Sequence, residues 1–465
     1  MRLTLRLARL LAGAVAAPLL FSLTACHGCG KRKDDGSSST SRSKAAAVAE
    51  SARDAGNDDA YADVSGDDGR DGLPETHADA SADAGPDDYA PPPADAALHV
   101  AAVRVREGIG HDGLAQRVAL ADLGSRLVVY GASLLAHADG NGPLVAAKKT
   151  ARPLPEGQEH VLVGIAGTHP GAVVALEGKH AEARGVQFAF TAHRYDAESG
   201  FAPLPGGIAK NEYPSMVVAY GPSAVLVAAT VFQEDVIAAP SGAAPSSATV
   251  TIDASGTRGT PALEPGFRII HAAATPSRHT YVLGSRKSAP GVWVARIRAG
   301  APASVTTYEQ LPGSGACTAR STLSVYTTPL AAAGDERAFV QMSDAECLKK
   351  TAGRIYEMTS QGLAPVKVSN ANGDPARILA AGKDGTLWLA TNDAVLVRAP
   401  SGTVREVPVV LPDGMKACDA RQIVVRSSGD TWATFECRVA GNEVDVVARL
   451  GRQQKALELP SVTAP

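Results

Sequence analysis

Asp384-Gly385-Thr386-Leu387-Trp388-Leu389-Ala390-Thr391 is the stretch that decides the fold. Asp-Gly is a tight-turn signal, and the apolar run behind it, bulky at Leu387, Trp388 and Leu389, suits a buried strand. Arg377-Ile378-Leu379 lies just upstream, so the unit reads strand, turn, strand. The same arrangement recurs where Gln422-Ile423-Val424-Val425 leads to Gly429-Asp430-Thr431-Trp432-Ala433-Thr434. Working toward the amino terminus, Arg268-Ile269-Ile270 precedes Thr275 and Thr280-Tyr281-Val282-Leu283, and Ser215-Met216-Val217-Val218 precedes Gly221 and Ala224-Val225-Leu226-Val227. His160-Val161-Leu162-Val163 precedes Gly167 and Ala172 to Leu176, and Arg117-Val118-Ala119-Leu120 precedes Gly124 and Leu127-Val128-Val129-Tyr130. Seven units start at Arg117, His160, Pro214, Arg268, Arg320, Arg377 and Arg421, spaced by 43 to 57 residues. That period suits four short strands per unit, and no long segment of helical period interrupts it. The reading is an all-β repeat from residue 98 to residue 465.

Seven such units resemble a seven-bladed β-propeller, and Asp384-Gly385-Thr386-Leu387-Trp388 is similar to blades of periplasmic sensor propellers. The Trp-Asp, Trp-Gly-Asn and Asp-box signatures of other propeller families are missing from the sequence. A β-sandwich pair, or another repetitive β architecture such as a solenoid, would use the same strands and stays open as the alternative. Leu98 to Arg106, alternating through Val100, Val103 and Val105, is a candidate for the strand that closes the ring.

The amino terminus has a different chemistry. Arg2, Arg6 and Arg9 precede an apolar run from Leu10 to Leu23, long enough for a signal-peptide core and short for a membrane span. It ends in Leu23-Thr24-Ala25-Cys26, which resembles the lipobox of bacterial lipoproteins. That resemblance implies removal of residues 1–26 as a signal peptide, diacylglycerol and palmitate-type acylation at Cys26, and anchoring of the rest to a membrane. His27 follows the cysteine where inner-membrane lipoproteins usually carry Asp, so the resemblance implies a cell-envelope protein at the outer rather than the inner membrane.

Residues 27–97 hold 7 bases and 16 acids among Ala, Ser and Gly, with few large apolar side chains. Such a segment buries too little surface to offset its ordering entropy and reads as a disordered acidic linker. Pro91-Pro92-Pro93 stiffens its end. Acid-rich linkers behind a lipobox resemble those of myxobacterial lipoproteins. Asp67-Asp68-Gly69-Arg70-Asp71-Gly72 lacks the ligand pattern of a calcium loop. With 45 Lys plus Arg against 48 Asp plus Glu, and a net charge of -3, the chain is no uniformly basic nucleic-acid binder, and no nucleic-acid partner is expected.

Of six cysteines, Cys26 is the lipid site. Ala316-Cys317-Thr318-Ala319-Arg320 and Ala417-Cys418-Asp419-Ala420-Arg421 match each other, and Cys347 and Cys437 follow at comparable places. In an oxidising compartment this correspondence favours disulfides Cys317 with Cys347 and Cys418 with Cys437, leaving Cys29 over. No histidine lies beyond His279 to reinforce a zinc site, so neither metal nor cofactor is expected.

Neither a Gly-x-Ser-x-Gly elbow nor a His-Glu-x-x-His motif occurs, and Ser41-x-x-Lys44 falls in the linker. Trp293, Trp388 and Trp432 read as packing residues. If the repeat register holds, Arg117, His160, Arg268, Arg320, Arg377 and Arg421 share one column at the starts of the innermost strands. Several guanidinium groups around one mouth would attract carboxylates, phosphates or an acidic partner segment. The plainer explanation is that Arg is a common solvated residue at strand starts. The expectation is therefore a lipid-anchored envelope binding or scaffold module, its partner an envelope protein or a small anion. An envelope hydrolase or lyase with His160, Arg268 and His271 at the channel mouth is the alternative.

Overall fold

The structure is a computed structural model that describes residues 92–463 apart from shorter stretches, the longest being 108–116, 148–157, 232–245 and 318–328. The expected signal peptide, Cys26 and linker up to residue 91, and Arg320, lie outside the described residues.

Six four-stranded antiparallel sheets follow one another along the chain. The first blade comprises Ala119–Asp122, Arg126–Tyr130, Leu134–Asp139 and Val145–Ala146, and the second Gln158–Ala166, Val174–Ala181, Gln187–Asp196 and Gly200–Pro203. The third holds Glu212–Tyr220, Ala224–Val231, Ser246–Asp253 and Arg258–Gly259, and the fourth Arg268–Ala274, Thr280–Ser285, Trp293–Arg298 and Ser304–Gln310. The fifth holds Leu330–Gly334, Arg337–Gln341, Ile355–Thr359 and Gly362–Val366, and the sixth Arg377–Ala381, Leu387–Ala390, Val395–Arg398 and Val404–Val407. Each blade meanders in chain order, and the first strands of successive blades touch. This is an all-β propeller. Among the described residues the sole helical element is the 3-10 turn Glu346–Leu348.

Six regular blades replace the seven expected from the repeat. The carboxy-terminal unit is instead a composite seven-stranded sheet. Its meander of Lys416–Val425, Thr431–Val439 and Asn442–Leu450 receives Leu98–Glu107, which pairs antiparallel with Asn442–Leu450 from Leu98 opposite Leu450 to Arg106 opposite Glu443. The far edge of Leu98–Glu107 is covered in parallel by Val409–Val410, Leu457–Glu458 and Val462–Thr463. A strand from one end of the chain is thus clasped by segments from the other, which cover its far edge at Leu98 and His99, Ala102 and Val103, and Arg106 and Glu107. The first strand of this closing sheet contacts those of both the sixth and the first blades.

The motif that announced the fold shows why local chemistry works here. The Asp384 carboxylate accepts from the Thr386 amide at 2.9 Å and the Thr386 hydroxyl at 2.5 Å, tying the turn to itself. Gly385 has φ +88°, and a Cβ there would lie 2.1 Å from the Arg337 guanidinium, which donates to the Asp384 carbonyl from the fifth blade. Only glycine meets both demands. Trp388 and Trp432 are completely buried, packing between neighbouring sheets.

Among the described residues two disulfides are present, the same two pairs that the internal correspondence implies. Their settings differ, however. Cys418 lies directly opposite Cys437 on the first two strands of the closing sheet. Cys317 precedes the first strand of the fifth blade, and Cys347 sits in the 3-10 turn after its second strand.

Candidate functional site

The first strands carry a recurrent irregularity that fixes their register. An extra residue interrupts pairing with the second strand between Leu162 and Gly164, Pro214 and Met216, Ile269 and His271, Ala332 and Gly334, Ile378 and Ala380, and Ala420 and Gln422. Aligned on this bulge, Arg268 and Arg377 occupy the same position, two residues before it. Arg421 is the bulge residue itself, and His160 stands three residues before its bulge. In the fifth blade the position two before the bulge is Ala331, because the first strand begins ten residues beyond Arg320. Arg117 precedes the strand Ala119–Asp122, whose pairing has no bulge. The single arginine column is therefore corrected to one shared position, Arg268 with Arg377, and a set of staggered neighbours. A bulge is set by backbone pairing and leaves no mark in composition.

The stagger nevertheless brings three of the six residues into one sector of the ring. Arg377 donates to the Ala420 carbonyl, next to Arg421. Arg421 Nη2 lies 2.6 Å from Glu436 Oε2 and 3.3 Å from Asp419 Oδ2. Arg117 Nη2 lies 3.3 Å from the same Glu436 oxygen. Arg117 and Arg421 remain 26% and 30% exposed, whereas Glu436 is only 9% exposed beneath them. Arg268 belongs to the fourth blade, away from this sector, and is exposed at the start of its strand.

Beneath the arginines a second charged layer is shut away from water. Arg106, 1% exposed, meets three carboxylates: Glu436 Oε1 at 3.0 Å, Glu443 Oε2 at 3.0 Å and Asp445 Oδ2 at 3.2 Å. The strand register sets this up: Arg106 stands opposite Glu443, two positions along from the cross-strand row of Arg104, Asp445, Glu436 and Asp419. Burial pushes the Asp445 carboxyl up to about 6, against the pull of Arg106 and Arg104. Burial pushes Glu436 the same way, but Arg421, Arg117 and Arg106 outweigh it and hold that carboxyl below the ordinary range. Sequence reasoning missed Glu436, Glu443 and Asp445. The available signal was Arg104 and Arg106 on the candidate closing strand, which need acidic partners once that strand is buried.

Of the alternative set, Arg268 and His271 share the first strand of the fourth blade. His271 follows the bulge of the fourth blade, and burial lowers its imidazole to about 4, so it is neutral at physiological pH. His160 is on the first strand of the second blade. A serine, a histidine and an aspartate do meet elsewhere: Ser277 donates to Asp335, and His279 Nε2 lies 3.7 Å from the other Asp335 oxygen. In a hydrolytic triad the histidine stands between the other two, whereas here Asp335 does. Among the described residues no group of three or more His, Cys, Asp or Glu side chains could hold a metal ion.

No protein-family profile and no curated protein sequence matches the chain. Among solved structures it is similar to YCF48 bound to a D1 peptide, at 11% identity and a TM-score of 0.43, covering 80% of this chain and 98% of that one. It is also similar to the polysaccharide lyase Uly1, at 8% identity and a TM-score of 0.44, covering 76% and 98%. A gluconolactonase from Xanthomonas campestris matches at 11% identity and a TM-score of 0.32, covering 76% and 97%.

Proposed function

We propose that this chain is a lipid-anchored envelope protein whose propeller binds an acidic partner segment through Arg117 and Arg421. In this reading residues 1–26 direct export, Cys26 carries the acyl chains at the outer membrane, and the acidic linker spaces the propeller from the bilayer. The composite sheet serves as the seventh blade, closing the ring into a rigid disc. One observation carries the binding role: two partly exposed guanidinium groups converge on one carboxylate oxygen, so the geometry for holding a carboxylate is already built. Planar, always-charged guanidinium groups suit that task better than ammonium groups would.

The anchor is tested by metabolic labelling with palmitate. Label should appear on the full chain and vanish in Cys26→Ala, and label retained in the variant would end the lipoprotein reading. The binding role is tested by crosslinking in cells followed by mass spectrometry. A partner captured by the native chain should disappear when Arg117 and Arg421 are both replaced by Ala. Equal capture by both proteins would remove the arginine pair from the interface.

A further inference from the structure

We infer that Glu436 sets which anion this site accepts, making it selective for a single carboxylate over a phosphate dianion. The inference rests on the binding role proposed for Arg117 and Arg421 and concerns its chemistry.

The two arginines that reach solvent share one Glu436 oxygen, at 3.3 and 2.6 Å. Asp419, 47% exposed, adds a second negative charge 3.3 Å from Arg421. The positive charge that the pair offers an incoming ligand is thus largely spent before the ligand arrives. What remains are directed N–H donors with little net charge. Donors of that kind suit a carboxylate, which is planar and singly charged, and penalise a phosphate group, whose charge near -2 has no counter-charge to meet. Glu436 cannot readily swing aside. Its other oxygen is held at 3.0 Å by Arg106, which is itself fixed by Glu443 and Asp445. The Cys418–Cys437 bridge joins the residues immediately beside Asp419 and Glu436, pinning both acids to one register. The acid is a permanent part of the site, and selectivity follows from geometry that a ligand cannot displace.

The test uses the full chain in detergent and two fluorescent peptides of one sequence with amidated ends, one bearing a single Glu and the other phosphoserine at that place. The native protein should bind the Glu peptide at least several-fold more tightly. Glu436→Gln should reverse the order, improving phosphopeptide affinity about tenfold relative to the Glu peptide, as expected when one repulsive charge is removed at contact distance. Asp419→Asn, at an exposed position that does not threaten folding, should move the ratio in the same direction by a smaller factor. Tighter phosphopeptide binding by the native protein, or an unchanged ratio in both variants, would overturn the role of Glu436 while leaving the arginine site intact. Binding of neither peptide by the native protein would overturn the arginine site itself.

Discussion

Between the fourth and fifth blades the packing is apolar at its centre, where Tyr281, Leu283 and Val294 on one side meet Leu330, Val340 and Met358 on the other, and its charged contacts, His279 with Asp335 and Arg296 with Glu336, go to carboxylates that are exposed. Between the closing sheet and the first blade an apolar middle of Ala102, Leu120, Leu127, Val129, Trp432 and Val447 is bracketed by charge. Arg106 and its three carboxylates stand at one end. At the other, the buried Arg426 bonds Asp122 and the Gly124 carbonyl, while Arg449 bonds Asp430 and the carbonyls of Asn141 and Gly142. The difference follows from how each seam is assembled. The fourth and fifth blades are consecutive in the chain. The closing sheet must capture a strand from the opposite end of the chain, and an alternating apolar strand can slip by two residues without turning its apolar face outward. A buried guanidinium facing three carboxylates fits one register only, which is the best-attested use of buried charge.

The largest expected effects separate the two kinds of seam. Arg106→Met leaves Glu436, Glu443 and Asp445 crowded without their central cation, and should cost about 3–5 kcal/mol of unfolding free energy in urea at neutral pH. Leu283→Ala should cost about 2–5 kcal/mol through its cavity. Acidification to about pH 5 distinguishes them: protonated carboxylates relieve the Arg106 variant, whereas the cavity is indifferent to pH. Equal pH responses would break the distinction drawn here.

Removal of either disulfide is the next step down, at about 3 kcal/mol each by restriction of the unfolded chain. Replacing Cys317 and Cys347 by Ser should cost a few tenths of a kcal/mol more than replacing Cys418 and Cys437, because the bridges span 30 and 19 residues. The two differ more in function: only loss of the second should alter anion binding.

A pH titration sharpens the comparison further. Asp445 has a folded value near 6, above its unfolded value, so the folded protein holds a proton that the unfolded chain releases. That stabilisation is complete below about pH 4 and is lost as pH rises through 6. Glu436, held low, works oppositely and withdraws its contribution as pH falls below the ordinary Glu range. Between about pH 4.5 and 7 the native protein should therefore lose on the order of 1–3 kcal/mol relative to Asp445→Asn. Parallel unfolding curves for the two proteins would show that Asp445 is not buried as described.

The smallest effect concerns a device common to both kinds of seam. Gln422 pairs with the amide and carbonyl of Leu120 across the closing seam, each at 2.9 Å. Gln341 does the same for the Ile378 amide and the Ala376 carbonyl between the fifth and sixth blades. Replacing either by Ala should cost about 1–3 kcal/mol by orphaning buried backbone groups, with the fully buried Gln341 the costlier of the two.

How much of this was legible beforehand varies with the range of the interaction. The Asp384-Gly385-Thr386 turn, the buried Trp388 and the closing role of Leu98 to Arg106 could be read directly, because turn residues and two-residue alternation act within a few positions. The first strand of the fifth blade begins at Leu330, ten residues beyond Arg320, which lies outside the described residues. An apolar run marks a strand but does not say where pairing starts. The arginine column failed by two residues at Arg421 for the same reason: a one-residue bulge changes register without changing the residues that flank it.

The sequence by itself determined the class of secondary structure, the repeat, the two cysteine pairs and the composition of the amino-terminal segment, because each is written in local pattern or internal similarity. Tertiary structure alone decided that the carboxy-terminal unit is a composite sheet, that Arg117, Arg377 and Arg421 share a sector while Arg268 does not, and that Glu436 lies beneath the first and last of these. Those outcomes depend on which strands become neighbours across more than 300 residues of chain, and pairing over that distance is settled by the packing of whole sheets.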